Sequence, residues 1–452
     1  MKRTFIISLL ILGLFTTITD IHAQIGRRFP SERKVIQDPV TGNKLIFLTS
    51  SPAGDSKIYQ THNQWTSDGK WLIFRSGRVK GEAMAVNESS GEMVQVSEGG
   101  YMGMLNVARK SMKLYFMRKQ VNDTLSGTLA IVEVDLAKLF IDSKAGKLKP
   151  AHEYQRICGI TSHELQAGGD MALDGDEEWV WFRIGKGEAQ KHLSSSVKIE
   201  PDFGPRKMGA GPAGIAGMNV KTGDIKYVVS VPFQIGHIQT NPWVPGQIIF
   251  CWETGGKAPQ RTWIVNSDGS GLRPLYPEAS YEWITHEAVI SKDEVAIAVM
   301  GHRKINNPVD TTSVKGTEVT GINPGQDKGW GDCGTREKPS GLGIVNINTR
   351  EMIIAGQTPS GSGFWHVNGS SDKRFAVGDD FARNIYLIDR HTHEMMLLST
   401  GHKATASDHP HPTFSPDGTK IEIQSAMLSS DNHSMNICVI PVPKKWLDRK
   451  YD

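Results

Sequence analysis

Short strand-like runs, each led in by a polar turn, recur along the chain. They include "WTSDGKWLIF" from Trp65, "VARKSMKLYFM" from Val107, "MALDGDEEWVWF" from Met171 and "NPWVPGQIIF" from Asn241. "VISKDEVAIAV" from Val289, "GSSDKRFAVG" from Gly369 and "TFSPDGTKIEI" from Thr413 continue the series. Most are followed by a second pair of strands returned by a polar turn, as in "TWIVNSDGSGL" and "IYLIDRHTHEM". Each unit therefore predicts a small antiparallel sheet, and the spacing of roughly forty-odd residues is that of a four-stranded propeller blade. About seven such units fit the chain, and helical periodicity is almost absent beyond the N-terminus. The pattern predicts an all-β chain, a seven-bladed β-propeller. One β-sandwich or two is the competing architecture, but recurrence over the whole mature chain favours a closed ring.

Two intervals exceed one blade, 185–214 and 302–341. Both are rich in Gly, Pro and charge and read as loops over one face of the ring. The expected organisation is a leader over residues 1–23, then one propeller domain over 24–452 carrying these insertions. The leader reading rests on Lys2 and Arg3, an apolar run from Phe5 to Phe15 and the small residue Ala23 at the expected cleavage point. That run is too short to span a bilayer comfortably. A periplasmic or secreted protein is the expectation.

Charge narrows the partners. The formal charge is +3, and losing Lys2, Arg3 and Asp20 with the leader leaves +2. With no long basic cluster remaining, nucleic acid is not expected as a partner. Four scattered cysteines, Cys158, Cys251, Cys333 and Cys438, lack the paired spacing of a zinc or dithiol site; disulfides and free buried thiols are both compatible with them.

Histidines carry the chemical signal. His237, His286, His366, and the pair His409 and His411 each stand shortly before a blade's turn-and-strand unit. The blade repeat brings equivalent positions together at the central channel. In "SDHPHPTFSPDG" His409 and His411 both precede proline, which predicts extended backbone with the two side chains on one face, their Cα atoms roughly 6.5 Å apart. Two such imidazoles and one from another blade would suit a borderline metal, and a remaining histidine would serve as a base.

These segments resemble the oligogalacturonate lyases, polysaccharide lyase family 22. The similarity is clearest in "GHIQTNPWVPGQIIFCWE", "APQRTWIVNSDG", "WITHEAVISKDE", "WHVNGSSDKRFAVGDD" and "DHPHPTFSPDG". The resemblance implies a seven-bladed propeller and β-elimination on a uronate-containing oligosaccharide. It implies His286 as catalytic base, Arg261 as its assistant at the reaction centre, and manganese, or another divalent transition metal, on His366, His409 and His411. His237 would line the pocket and contact the sugar. The family's glutamine ligand falls on Ala406, which has no ligating side chain, so Asp408 or water is the expected substitute. Export is a second departure from the family and points to a different uronate glycan as substrate.

Uronate elimination needs a base for the C5 proton and a cation for the carboxylate, and each 1.36 kcal/mol of preferential transition-state stabilisation is worth about tenfold in rate. Glu287 or backbone would set the His286 tautomer. A non-catalytic propeller scaffold or carbohydrate-binding protein, and a metal-assisted hydrolase on the same ring, remain compatible with the sequence.

Overall fold

The computed structural model describes residues 24–120, 127–202, 208–254, 258–279, 282–302, 340–358 and 363–451. They form seven antiparallel sheets, the blades of a β-propeller. The innermost strands, in blade order, are Asp55–Lys57, Met102–Val107, Met171–Leu173, Ile235–Thr240, Glu282–Ser291, His366–Gly369 and Thr413–Phe414. Neighbouring inner strands from the second to the seventh blade touch in turn around the axis. From the second blade to the sixth, the strands of each sheet follow the chain outward from the axis.

The turn chemistry explains the recurrence. In four blades a Ser or Thr at the head of the first turn hydrogen-bonds an Asp two residues on: Thr66 to Asp68, Ser291 to Asp293, Ser370 to Asp372 and Ser415 to Asp417. Such side chains offer the backbone a local partner and so favour turns over continued strand. The head residue's N–H then reaches the carbonyl five residues on in Thr66, Ser370 and Ser415, which starts the hairpin. Packing between blades supplies the core. Phe47 and Ile423 of the last blade pack with Phe375 and Leu387 of the sixth, all fully buried, and each such side chain contributes about 1.5–3 kcal/mol by leaving water.

Both chain ends make the last blade. Strands Lys34–Gln37 and Lys44–Phe47 join a sheet whose other members come from residues 413–441, and Ile46 pairs with Val439. Arg28–Phe29 meanwhile edges the first blade.

One helix escapes the strand pattern. Leu136–Ala145 is capped by the Asp135 carboxylate on the Lys138 N–H and ends at Gly146 in the left-handed region. It buries Leu139 and Phe140, the latter stacked on Trp71 at 4.3 Å. Its three turns are too short for their periodicity to stand out among strands. Cys158, Cys251 and Cys438 are free and buried. Cys333 and the expected leader lie outside the described residues, as do 303–339 of the second insertion. No described helix is long and apolar enough to cross a membrane.

Register places both insertions. Met171, where an inner strand begins, faces Phe182 near the end of the next strand, and Glu282 likewise faces His302. The two long connections therefore leave from the face at which the inner strands start. The first holds a helix, Lys186–Lys191, and from Ala210 onward it is already strand, so the loop is shorter than the sequence pattern suggests.

Candidate active site

Counting back four residues from the head of each turn gives His62, His237, Glu287, His366 and His411 in five of the blades. The ring thus repeats one position, and chemistry collects there. His286 stands one residue earlier than its counterparts. Its strand pair shifts register between Thr285 and Glu287, as does the pair holding His237 between Gly236 and Gln239. Such bulges re-aim side chains.

Three site histidines, His237, His286 and His411, have φ of +49°, +29° and +52°. Positive φ is uncommon for any residue but glycine and is held only where the surroundings dictate it. For His411 this departs from the extended backbone that its following proline favours. The Gln424 N–H holds the Pro410 carbonyl at 3.0 Å and its side-chain amide holds the His409 carbonyl at 2.8 Å, so tertiary hydrogen bonds override the local preference.

Two groups of side chains face each other. In the first, the Asp379 carboxylate lies 3.2 Å from Nδ1 of His366 and 3.1 Å from Nδ1 of His409. Nδ1 of His411 is 2.9 Å from Oε1 of Gln60. All three imidazoles thus have Nδ1 committed to an oxygen acceptor, which leaves Nε2 as the nitrogen without its proton. This is the arrangement by which outer partners orient metal-binding histidines. Nε2 of His411 is buried without a hydrogen bond, and Asp408 Oδ2 stands 3.1 Å from it outside hydrogen-bond alignment. An unpaired buried nitrogen beside a carboxylate oxygen fits a cation between them. His366, Asp379 and His409 also offer three ligand atoms within 4.8 Å of one another. Burial, then His411, lowers the His366 pKa to about 3 despite Asp379, keeping the ring neutral. Burial opposes ionisation of Asp379, but His366 and His409 hold its carboxyl well below the usual range.

Ala406 is buried and contributes no side-chain donor. Asp408 is fixed by the His409 N–H at 2.8 Å. It thus stands where the expected substitute for the missing glutamine would be.

The second group centres on Glu287, fully buried in the fifth blade. Its carboxylate takes Nε of Arg261 at 3.1 Å and Nδ1 of His237 at 2.9 Å. Burial penalises the charge, yet Arg261 and His237 outweigh it and bring the carboxyl down to about 2. His237 responds in the opposite sense: burial is overcome by Glu287 and then Glu253, and its pKa is raised. Arg261 is 2 % exposed, so its charge is matched by Glu287 rather than offered bare to a ligand. Glu287 serves His237 and Arg261, and does not set the His286 tautomer.

His286 lies between the groups. Its ring centroid is 4.4 Å from that of His366 and 6.0 Å from that of His237. Its Nδ1 is buried without a hydrogen-bond partner among the described residues. Burial, then His366 and Arg261, holds its pKa well below the ordinary imidazole value. It is the neutral, unclaimed imidazole of the set.

Sequence reasoning missed Tyr59, Gln60 and Asp379. The Tyr59 ring lies 5.0 Å from those of His237 and His411 and 6.1 Å from that of His366, joining the two groups. "KIYQTHNQWTSDG" precedes the first blade's turn just as "DHPHPTFSPDG" precedes the last, so the repeat itself marks Tyr59, Gln60 and His62. Asp379 follows from hairpin counting outward from the Ser370–Phe375 turn pair, which sets it opposite His366.

No family model and no curated protein matches this chain. Among solved structures, an oligogalacturonate lyase in complex with manganese matches with a TM-score of 0.68 at 16% identity, covering 94% of this chain and 100% of that one. An oligogalacturonate lyase from Vibrio parahaemolyticus matches with a TM-score of 0.67 at 17% identity, again over 94% and 100%. The likeness establishes a shared fold over nearly the full length.

Proposed function

We propose that this chain is a metal-dependent lyase that cleaves uronate-containing oligosaccharides by β-elimination. The carrying observation is the pairing of a neutral imidazole, His286, whose buried Nδ1 has no hydrogen-bond partner among the described residues, with three imidazoles whose Nδ1 atoms are all committed outward. The shared fold with oligogalacturonate lyases, one of them bound to manganese, supports the same reading.

His366, His409 and His411 would hold the ion through Nε2, with Asp408 as the adjoining oxygen donor. A divalent ion bound there would neutralise the uronate carboxylate and stabilise the negative charge that grows as C5 loses its proton. His286 takes that proton as neutral imidazole. The electron pair of the C5–H bond becomes the C4=C5 double bond, and the C4–O bond breaks. The leaving oxygen acquires a proton, and His286 returns its own to solvent. Arg261, fixed by Glu287, keeps positive charge beside the base and suppresses its premature protonation, and His237, whose pKa Glu287 and Glu253 raise, adjoins it. His237 is also placed to hydrogen-bond the sugar. An export leader over residues 1–23, cut after Ala23 and delivering the enzyme to the periplasm or medium, belongs to the same proposal; N-terminal sequencing of the mature protein tests it.

The decisive assay incubates the manganese-loaded protein with a panel of uronate oligosaccharides and follows the ultraviolet absorbance of unsaturated uronate. The wild type should generate it. His286→Ala should lose it while keeping metal content and melting temperature, because a base outside the metal shell is not needed to hold the ion. Cleavage that yields saturated ends would identify a hydrolase instead, and no cleavage of any substrate would remove the enzymatic reading.

A further inference from the structure

The C4 oxygen leaves as an alkoxide unless something protonates it. In a galacturonide the C5–H and C4–O bonds lie on opposite faces of the ring, so a base that takes the C5 proton is not placed to hand it to the departing oxygen. A second group has to serve that face. Most donors near His286 are engaged. His237 has Nδ1 on Glu287 at 2.9 Å and Nε2 3.4 Å from Glu253. Arg261 gives Nε to Glu287 at 3.1 Å. The Lys57 ammonium is held at 2.8 Å by both the Ile58 carbonyl and the Thr413 hydroxyl.

Tyr59 is placed differently. It follows the inner strand of the first blade, yet its ring reaches four others: it lies 5.0 Å from the ring of His237, 6.5 Å from His286, 6.1 Å from His366 and 5.0 Å from His411. It therefore stands beside both the base and the proposed ligands. Ile58 and Gln60 on either side of it are buried, whereas Tyr59 keeps accessible surface. The Gln60 amide lies next to its hydroxyl. Oε1 of that amide is taken by Nδ1 of His411 at 2.9 Å, which leaves Nε2 as the end available to Tyr59, and Nε2 has no partner in hydrogen-bond alignment.

These two observations fit one chemistry. A phenol holds its proton at neutral pH, its ordinary pKa being about 10, and it can give that proton to a more basic alkoxide. A buried amide N–H without an acceptor is an exception that calls for a reason. A phenolate formed beside it would be that acceptor.

We propose that Tyr59 donates the proton to the leaving C4 oxygen, with Nε2 of Gln60 steadying the phenolate that results. The assignment rests on the lyase reading and supplies its second proton transfer. While the C5–H electron pair forms the C4=C5 bond and the C4–O bond breaks onto oxygen, the Tyr59 O–H bond breaks toward that oxygen. Solvent then returns a proton to Tyr59 as His286 gives one up, and both groups are restored.

Two substrates separate the roles: a uronate oligosaccharide that the wild type cleaves, and the same uronide with 4-nitrophenoxide at C4, which departs as a stable anion and needs no proton. Tyr59→Phe keeps the ring among the histidines and removes only the hydroxyl. It should lower kcat on the oligosaccharide by about 10²–10⁴-fold and cleave the aryl ether near the wild-type rate, at unchanged manganese content and melting temperature. His286→Ala should fail on both. Undiminished oligosaccharide cleavage by Tyr59→Phe, an equal loss on the two substrates, or loss of manganese would each overturn the Tyr59 role and leave the lyase reading standing. A wild type that forms unsaturated uronate from no substrate would sink the lyase reading, and the Tyr59 role with it.

Discussion

Asp379 stands directly across the hairpin from His366, and its buried carboxylate takes both the backbone N–H of that histidine at 2.8 Å and its Nδ1 at 3.2 Å. One residue therefore fixes the strand register and the ring orientation of a proposed ligand, and through its other oxygen that of His409 as well. Replacing such an outer partner typically costs 10–100-fold in metal affinity. Asp379→Asn should lower manganese affinity by about that factor in chelator competition, with the blade still folded. Unchanged affinity would mean that the carboxylate orients nothing.

Asp408 and Ala406 make opposite predictions. Asp408 Oδ2 already stands 3.1 Å from Nε2 of His411, so Asp408→Ala should loosen the ion by about tenfold or more. Ala406→Gln should change affinity little, since the oxygen it would supply is already provided. A large gain from Ala406→Gln would show that Asp408 stays outside the coordination shell.

Much of this was legible in the sequence. The recurrence of "SDG", "SSDK" and "SPDG" announced the turn chemistry of four blades, and the regular spacing of strand pairs carried the pattern to seven sheets. The histidines were legible because they share a register relative to those turns. Tyr59 and Asp379 were harder to see, since a tyrosine and an aspartate gain meaning only once hairpin counting or ring closure puts them beside imidazoles. The αL backbone of His411 was opposite to expectation, because local proline sterics said extended and Gln424 decided otherwise.

Glu287 is expected to set the protonation of His237. With its carboxylate 2.9 Å away the histidine titrates above its ordinary value; in Glu287→Gln the charge is gone and the pKa should fall. Two-dimensional NMR of the imidazole nitrogens across about pH 5–9, a window that spans the ordinary imidazole value, would show the midpoint moving down. Turnover should drop as well, since Arg261 loses the group that aims it. An unmoved midpoint would assign the raised value to Glu253.

Acid should destabilise the fold before its carboxylates titrate. His402 is fully buried and His62 half-buried, both away from the proposed ligands, and desolvation lowers both pKa values to about 4, against about 6.5 in the unfolded chain. The unfolded state therefore binds more protons between about pH 6.5 and 4, and stability declines as pH falls through that window. The melting temperature of the metal-free protein should drop steadily from pH 7 to 4.5, and His402→Gln should flatten the slope. A level profile would contradict the neutral state of these rings.

The shared last blade sets an order of events for the chain. Strands Lys34–Gln37 and Lys44–Phe47 emerge early during synthesis, but their sheet is completed only by residues 420–441. Until then the N-terminal strands present an unpaired edge, a template for pairing with the wrong neighbour. The six other sheets draw no strand from beyond the last blade's start, whereas closure joins the most distant parts of the polypeptide and bears the slow search that long-range pairing entails. The seam it creates runs beside the proposed metal site, where Lys57 of the first blade donates its N–H to Gln424 and its ammonium to Thr413 of the last. A chain that has not finished closing thus lacks the neighbours that hold the Pro-His-Pro segment in place, which makes ion binding a late report of complete assembly.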